Sequence, residues 1–452
     1  MRLPAPFPTD ERTEVLNPNQ PAAVRGDPAS GPARDEHTRW ANELTRTRQP
    51  GPFRGAPHWA GLQPATLAVH TGTQDDAATG AVGTPIYQTS TFLLEADQYR
   101  SIEEGYARDR FIYTRYGNPS QWAVEAKLAA LEGAESALVF SSGMAAISAT
   151  LLALLDRGAH VVASSELYGG TYAFLQGELP TLGMSASYVD PRDLAAIEAA
   201  IRPETQVLFF EALTNPLLKI VDIPGIVAIA RKHGLRVVID ATFATPIAMK
   251  PLGWGVDVVV HSASKYLNGH SDLIAGVAAG PRKLLDAIWP RRLAYGGSLD
   301  PHACFMLERG LKTLPLRMRA HAEGAAIVAA WLEQHPRVRR VYFAGLPSHP
   351  DHALARRLLA NPTGMVCFEL DGTDAHAVAL LEHLQLAKKA TSLGGVETLV
   401  SLPFNTSHAA FTAQQRERMG IRPGCVRLSV GIEDPRDMLT DLAQAIECAF
   451  GA

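Results

Sequence analysis

The stretch VVVHSASKYLNGHSDLIAGVAAG, Val258 to Gly280, opens as a β-branched apolar run and breaks at His261 into a polar turn, in which Ser262 and Ser264 lead up to Lys265. Runs of the same kind recur upstream: ALVF (Ala137–Phe140), HVVAS (His160–Ser164), QVLFFEA (Gln206–Ala212) and LRVVIDA (Leu235–Ala241). Between them lie helical segments such as AAISATLLALL, Ala145 to Leu155. Short, nearly continuous apolar strands separated by helices imply a parallel sheet covered on both faces, and so an α/β fold.

From about Arg317 the pattern changes. A long helical stretch, MRAHAEGAAIVAAWLEQH, is followed by strands such as GMVCFEL and CVRLSVG with helices between them. This α+β ending predicts a smaller second domain. At the other end, Met1 to about Gly61 is rich in Pro, Arg, Asp and Gly and has neither helical nor strand periodicity, which predicts a flexible tail.

With 46% hydrophobic and 19% charged residues the chain has ordinary globular composition, so disorder throughout is excluded. A net charge of -4 with mixed signs gives no footprint for nucleic acid or an anionic membrane, and a small-molecule enzyme is the expectation. Cys304, Cys367, Cys425 and Cys448 form no CxxC pair, so neither a metal site nor a disulfide framework is expected. The start, MRLPAPFPTDERTE, lacks an apolar signal region, and no segment approaches 18 uninterrupted apolar residues. A soluble protein of the reducing cytoplasm is expected.

In open α/β sheets, ligands bind beyond the carboxyl ends of the strands. The polar residues there are Asp240 after LRVVI, Ser262 to Lys265 after VDVVV, and Ser141-Ser142-Gly143 after ALVF. Each has a use if the ligand is pyridoxal 5'-phosphate. The helix opening at Gly143 offers unpaired N–H groups to a phosphate, and Ser262 and Ser264 add hydroxyls. Asp240 suits the pyridinium N–H, and Lys265 supplies the amine for a Schiff base. Singly, each has a blander reading: a solvated end-of-strand lysine, a turn or cap aspartate, an ordinary serine N-cap. Ser262-Ala263-Ser264-Lys265 also satisfies S-x-x-K, the serine nucleophile motif of β-lactamases, but Ser271-Asp272-Leu273 is not SDN and Lys312-Thr313-Leu314 is not KTG.

The match extends well beyond these residues. From about Thr66 to the C-terminus, YTRYGNPS, FSSGMAA, LYGGTYAF, TNPLLKIVDI, IDATFATP, RGLKTLPLRM, SLGGVETL and VRLSVGIED, with the lysine segment, strongly resemble the Cys/Met-metabolism pyridoxal-phosphate family. That family includes cystathionine γ-synthase, cystathionine γ-lyase, methionine γ-lyase and O-acylhomoserine sulfhydrylase. The resemblance implies a type I aminotransferase-like fold, with a large parallel-sheet domain and a smaller C-terminal α+β domain. It implies a homotetramer, a dimer of dimers with active sites shared between subunits. The expected layout is a tail over 1–64, an arm contacting the partner subunit over 65–117, a cofactor domain over 118–316 and a C-terminal domain over 317–452.

By the same resemblance Lys265 is the Schiff-base lysine and Asp240 the partner of the pyridine nitrogen. Gly143, Met144, Ser262 and Ser264 form the phosphate cradle. Tyr113 and Arg115 reach the neighbouring subunit's phosphate, and Tyr168 stacks on the ring and assists proton transfer. Arg427 clamps the substrate carboxylate, with Asn215 and Ser392 in support. In one departure, Ala241 stands where the family usually has asparagine beside the aspartate.

The expected reaction is γ-elimination from methionine or homocysteine, with γ-replacement on an O-acylhomoserine or cleavage of cystathionine as alternatives. A degenerate, non-enzymatic member would lack a catalytic residue, whereas Lys265, Asp240 and Arg427 are all present. Members that handle cystathionine place charges to receive its distal head, where this chain has Ile112, Ala173 and Thr391. Gly170 stands where bacterial methionine γ-lyases usually have cysteine.

Overall fold

Where the sequence alternates apolar runs with helical stretches, the computed structural model, which describes residues 61–73, 79–94, 110–409 and 411–451, forms a seven-stranded sheet. Residues 1–60, nearly all of the expected tail, and parts of the expected arm lie outside that description. The strands are β1 (Ser136–Phe140), β2 (His160–Ser164), β3 (Ser185–Val189), β4 (Thr205–Glu211), β5 (Arg236–Asp240), β6 (Val258–Ser262) and β7 (Gly276–Gly280), in the order β1-β7-β6-β5-β4-β2-β3.

All run in one direction except β7, which is antiparallel to both β1 and β6. This is the one departure from the parallel sheet expected. Residues 263–275, which carry Lys265, form no helix, and a parallel return would need a crossover of helical length. The near-continuous apolar runs are explained by burial on both faces. Val139, Leu208, Phe210, Ile239 and Val259 pack on one side with Leu128 of α1 (Pro119–Glu132). Leu138, Phe140, Phe209, Val238 and Val260 pack on the other with Ile147 and Leu151 of α2 (Gly143–Leu154).

A second sheet contains β8 (Val338–Tyr342), β9 (Met365–Leu370), β10 (Lys388–Lys389), β11 (Leu399–Ser401) and β12 (Cys425–Ser429), ordered β10-β11-β12-β9-β8. Its Val341, Val366, Phe368, Val426 and Leu428 pack with Val328 and Leu332 of α3 (Leu314–Glu333) and with Leu442 and Ile446 of α4 (Pro435–Ala449). Strand side chains alternate between faces, so Arg427 projects from the face opposite that core, with Cys367 across from it on β9.

Candidate active site

Because β1, β4, β5 and β6 run the same way, Gly143, Glu211, Asp240 and Ser262 come to one edge of the sheet. The start of α2 lies so close to the end of β6 that a Cβ on Gly143 would fall 2.8 Å from the Ser262 Cβ, which is why a glycine stands there. Ser142 caps α2 by accepting the Ala145 N–H, and the Gly143 and Met144 N–H groups have no partner among the described residues. Ser262 donates its N–H to Thr242 Oγ1 at 2.9 Å, and the Thr242 hydroxyl donates to Asp240 Oδ1 at 2.5 Å. Ser264 Oγ accepts the Ala275 N–H at 2.9 Å.

Asp240 is buried, and burial pushes its carboxyl above the usual carboxylate range against the pull of the Thr242 hydrogen bonds. Its Oδ1 takes both Thr242 donors, and Oδ2 takes none among the described residues. Such a carboxyl is short of a cationic donor. Ala241 beside it is fully buried, and its N–H is spent on Val260 O.

On the loop after β6, the Lys265 Nζ donates to Ser392 Oγ at 2.6 Å. Burial, with the nearby Arg427 charge, depresses the lysine below its ordinary value. Arg427 Nη2 donates to Ser392 O at 3.0 Å and Nη1 to Asn215 Oδ1 at 3.0 Å, so Lys265, Ser392, Arg427 and Asn215 form one hydrogen-bonded line. Ser392 holds φ +85°, a left-handed conformation uncommon outside glycine, while both its side chain and its carbonyl are engaged in this line. Arg427 is only 5% exposed, and the described residues offer it neutral acceptors but no carboxylate. Burial lowers its pKa, yet a guanidinium stays charged, so the site contains a buried cation held by neutral acceptors.

Tyr168 is half exposed, and its backbone N–H donates to Glu211 Oε1 at 2.6 Å. A Cβ on Gly170 would come within 2.6 Å of the Tyr168 ring and 3.2 Å of Met144 Sδ, which places Tyr168 and Met144 side by side. Tyr113 and Arg115 stand apart: no hydrogen bond, ion pair or ring contact joins them to the other site residues among those described. Tyr113 is 42% exposed, and the Arg115 guanidinium lies 4.8 Å from the Tyr116 ring centroid. Two residues at this edge, Thr242 and Glu211, were not singled out from sequence. Glu211 ends an apolar strand just as Asp240 does, so the end-of-strand rule could have found it.

The bare N–H groups at the start of α2, the half-satisfied buried acid and the partly desolvated lysine fit a phosphate, a ring N–H and an aldehyde carbon in turn. That donor set at the carboxyl edge of such a sheet defines a pyridoxal-phosphate enzyme with the type I aminotransferase-like fold. The sequence model of the Cys/Met metabolism PLP-dependent enzyme family matches residues 65–447. The chain is 41% identical to L-methionine gamma-lyase of Pseudomonas putida, over 85% of its own length and 97% of that protein. It is also 41% identical to cystathionine gamma-lyase of Bacillus subtilis (strain 168), over 85% of its length and all 100% of that protein. The crystal structure of cystathionine gamma-lyase from Lactobacillus plantarum complexed with L-serine superposes with a TM-score of 0.81 at 39% identity, covering 86% of this chain and 100% of that one. The chain belongs to the Cys/Met-metabolism family of pyridoxal-phosphate-dependent enzymes.

Proposed function

We propose that this enzyme catalyses γ-elimination from methionine or homocysteine, which with one water gives methanethiol or hydrogen sulfide, 2-oxobutanoate and ammonia. The observation that carries the reading is the buried Arg427, which has no carboxylate partner among the described residues and is joined through Ser392 to the Lys265 amine. An α-amino acid whose carboxylate occupies Arg427 brings its Cα toward that amine. Pyridoxal phosphate, when bound, supplies an electron sink next to the substrate Cα.

The chain's own residues do the rest. The Gly143 and Met144 N–H groups, with Ser262 and Ser264, hold the phosphate, and Asp240 Oδ2 accepts the ring N–H. Tyr168 covers the ring face, where an aromatic surface orients it and the hydroxyl assists proton transfer. Lys265, whose pKa burial lowers, takes the Cα proton, passes it on and, neutral again, takes a Cβ proton, after which the γ-substituent leaves with its bonding electrons and is protonated. Asn215 and Ser392 aim the Arg427 fork at the substrate carboxylate.

Selectivity rests on positions near the distal end of the substrate. Ile112 is apolar and buried, Ala173 and Thr391 are exposed, and none of the three carries a charge, so a second amino-acid head would find no charged partner at these positions. This favours a methylthio or acyl group over cystathionine. A second reading, γ-replacement on an O-acylhomoserine, is favoured by Gly170, which departs from the cysteine usual in bacterial methionine γ-lyases. Incubation with methionine, homocysteine, cystathionine and O-acylhomoserines, scoring 2-oxobutanoate against new thioethers, separates the two. Thioether formation without 2-oxobutanoate overturns the lyase reading.

The proposed assembly is a homotetramer in which Tyr113 and Arg115 serve the partner's phosphate, a role consistent with their separation from the rest of the site. The proposed division into an arm (65–117), a cofactor domain (118–316) and a C-terminal domain (317–452) is supported by each sheet lying within one of the last two segments. No helix among the described residues is long and apolar enough to cross a membrane. The four free cysteines favour the cytoplasm.

A further inference from the structure

Glu211 closes β4 with only 6% of its surface exposed, and the β4–β5 register sets it directly opposite Asp240. Its Oε1 accepts the Tyr168 N–H at 2.6 Å, and the Asn215 N–H acts on the same carboxyl. One side chain thus ties together the ring-facing tyrosine, the aspartate of the ring nitrogen and the asparagine behind Arg427.

The charges around it are unbalanced. Beyond β2, the buried Glu166 takes Lys219 on Oε1 and the Thr214 hydroxyl on Oε2. From β5 comes Asp240, on which His261 of β6 acts by charge. Lys219 is committed to Glu166, and among the described residues Glu211 has no ion-pair partner. Adjacent buried carboxyls cannot all ionise at low cost, and the one with the weaker anion-stabilising contacts keeps its proton. Asp240 has a hydroxyl and an N–H on one oxygen, whereas burial and the Asp240 charge push the Glu211 carboxyl well above the usual range.

We infer that Glu211 is a positioning residue of this site, a neutral acid that fixes the Tyr168 and Asn215 backbones and leaves Asp240 to carry the negative charge offered to the cofactor ring. The inference rests on the proposed roles of Asp240 and Tyr168. Glutamine matches a neutral glutamic acid in shape and keeps the acceptor for the Tyr168 N–H. Leucine fills a similar volume and removes it.

The test uses full-length holoenzyme, as wild type, Glu211→Gln, Glu211→Leu and Asp240→Asn. The readouts are the pH midpoint of the cofactor's visible band, its visible circular dichroism, the Kd for pyridoxal phosphate added to apoenzyme, and far-UV circular dichroism. Glu211→Gln should keep the wild-type midpoint, ellipticity and Kd. Glu211→Leu should keep its secondary structure while binding the cofactor about ten- to a hundredfold more weakly, the scale of a buried N–H losing its acceptor, and with reduced visible ellipticity.

A midpoint displaced by about one pH unit or more in Glu211→Gln overturns the inference, because a charge would then have been removed. A folded Glu211→Leu with wild-type affinity and ellipticity overturns it as well. If Glu211→Leu does not fold, the Glu211→Gln midpoint decides alone. An Asp240→Asn enzyme with an unmoved midpoint removes the Asp240 assignment itself, whatever the Glu211 variants do.

Discussion

Replacing Arg427 by lysine keeps the charge and removes the fork. In the structure the two terminal nitrogens are each 3.0 Å from a neutral acceptor, Asn215 Oδ1 and Ser392 O, and the guanidinium is buried, so its aim at a carboxylate is set by both anchors. A lysine amine cannot hold both anchors and a two-point contact with a carboxylate. Hydrogen bonds involving a charged group contribute about 1.5–3 kcal/mol each. Losing one substrate contact and part of the anchoring should therefore cost about 2–4 kcal/mol of transition-state binding, or about 30- to 1,000-fold in kcat/KM.

Carboxylate binding is common to the ground and transition states, so most of the loss should fall on KM. The assay is steady-state release of 2-oxobutanoate from methionine, with the visible band of the bound cofactor as control. Asn215→Ala and the double variant complete a cycle, in which the effects should be less than additive because the two side chains are bonded to each other. A kcat/KM within about threefold of wild type would refute the clamp, since one charge-assisted hydrogen bond alone is worth more than that. An Arg427→Lys enzyme that no longer binds cofactor would assign Arg427 to the cofactor pocket instead.

Lys265→Ala should lack the visible band of the lysine-bound cofactor. Mixed and reassembled with the nearly inactive Arg115→Ala, it should recover part of the activity, because one site of the hybrid dimer is intact; proven subunit exchange without recovery would mean that Arg115 serves its own subunit or none. Wild type should prefer methionine, homocysteine or an O-acylhomoserine over cystathionine by at least about tenfold in kcat/KM, and Thr391→Glu should narrow that gap by giving the distal ammonium a partner. Equal turnover of cystathionine by wild type would return the assignment to cystathionine γ-lyase or γ-synthase. A last prediction concerns stability. Burial raises the Asp441 carboxyl, but the N–H groups of Gln385, Leu386 and Ala387, at 2.8, 2.9 and 3.0 Å, outweigh it and hold the group below its ordinary value. A depressed folded-state pKa contributes stability that is present at neutral pH and lost as pH falls through it. Asp441→Asn should accordingly be less stable by about 1–3 kcal/mol at pH 7, with the difference closing below about pH 4, as measured by urea denaturation of the holoenzyme. A gap that stays constant across that range would show that the charge contributes nothing.

Strand positions and the residues that end them were legible because both are local. A run such as LRVVI needs burial on both faces, and whatever polar group follows it must emerge at the sheet edge, which marks Asp240, Ser262 and Lys265 in the sequence itself. The direction of β7 was not legible, since GVAAG has the same apolar character whichever way it runs, and only the lack of a crossover helix between it and β6 turned it antiparallel. The contact of Lys265 with Ser392, 127 residues away, and of Asn215 with Arg427, 212 residues away, belongs to tertiary structure alone. So do the charge states. Glu211 and Asp240 both look like acids closing a strand, but a carboxyl's proton affinity depends on the water it has lost and the charges it faces, and the chain acquires those surroundings only when β4 and β5 lie side by side.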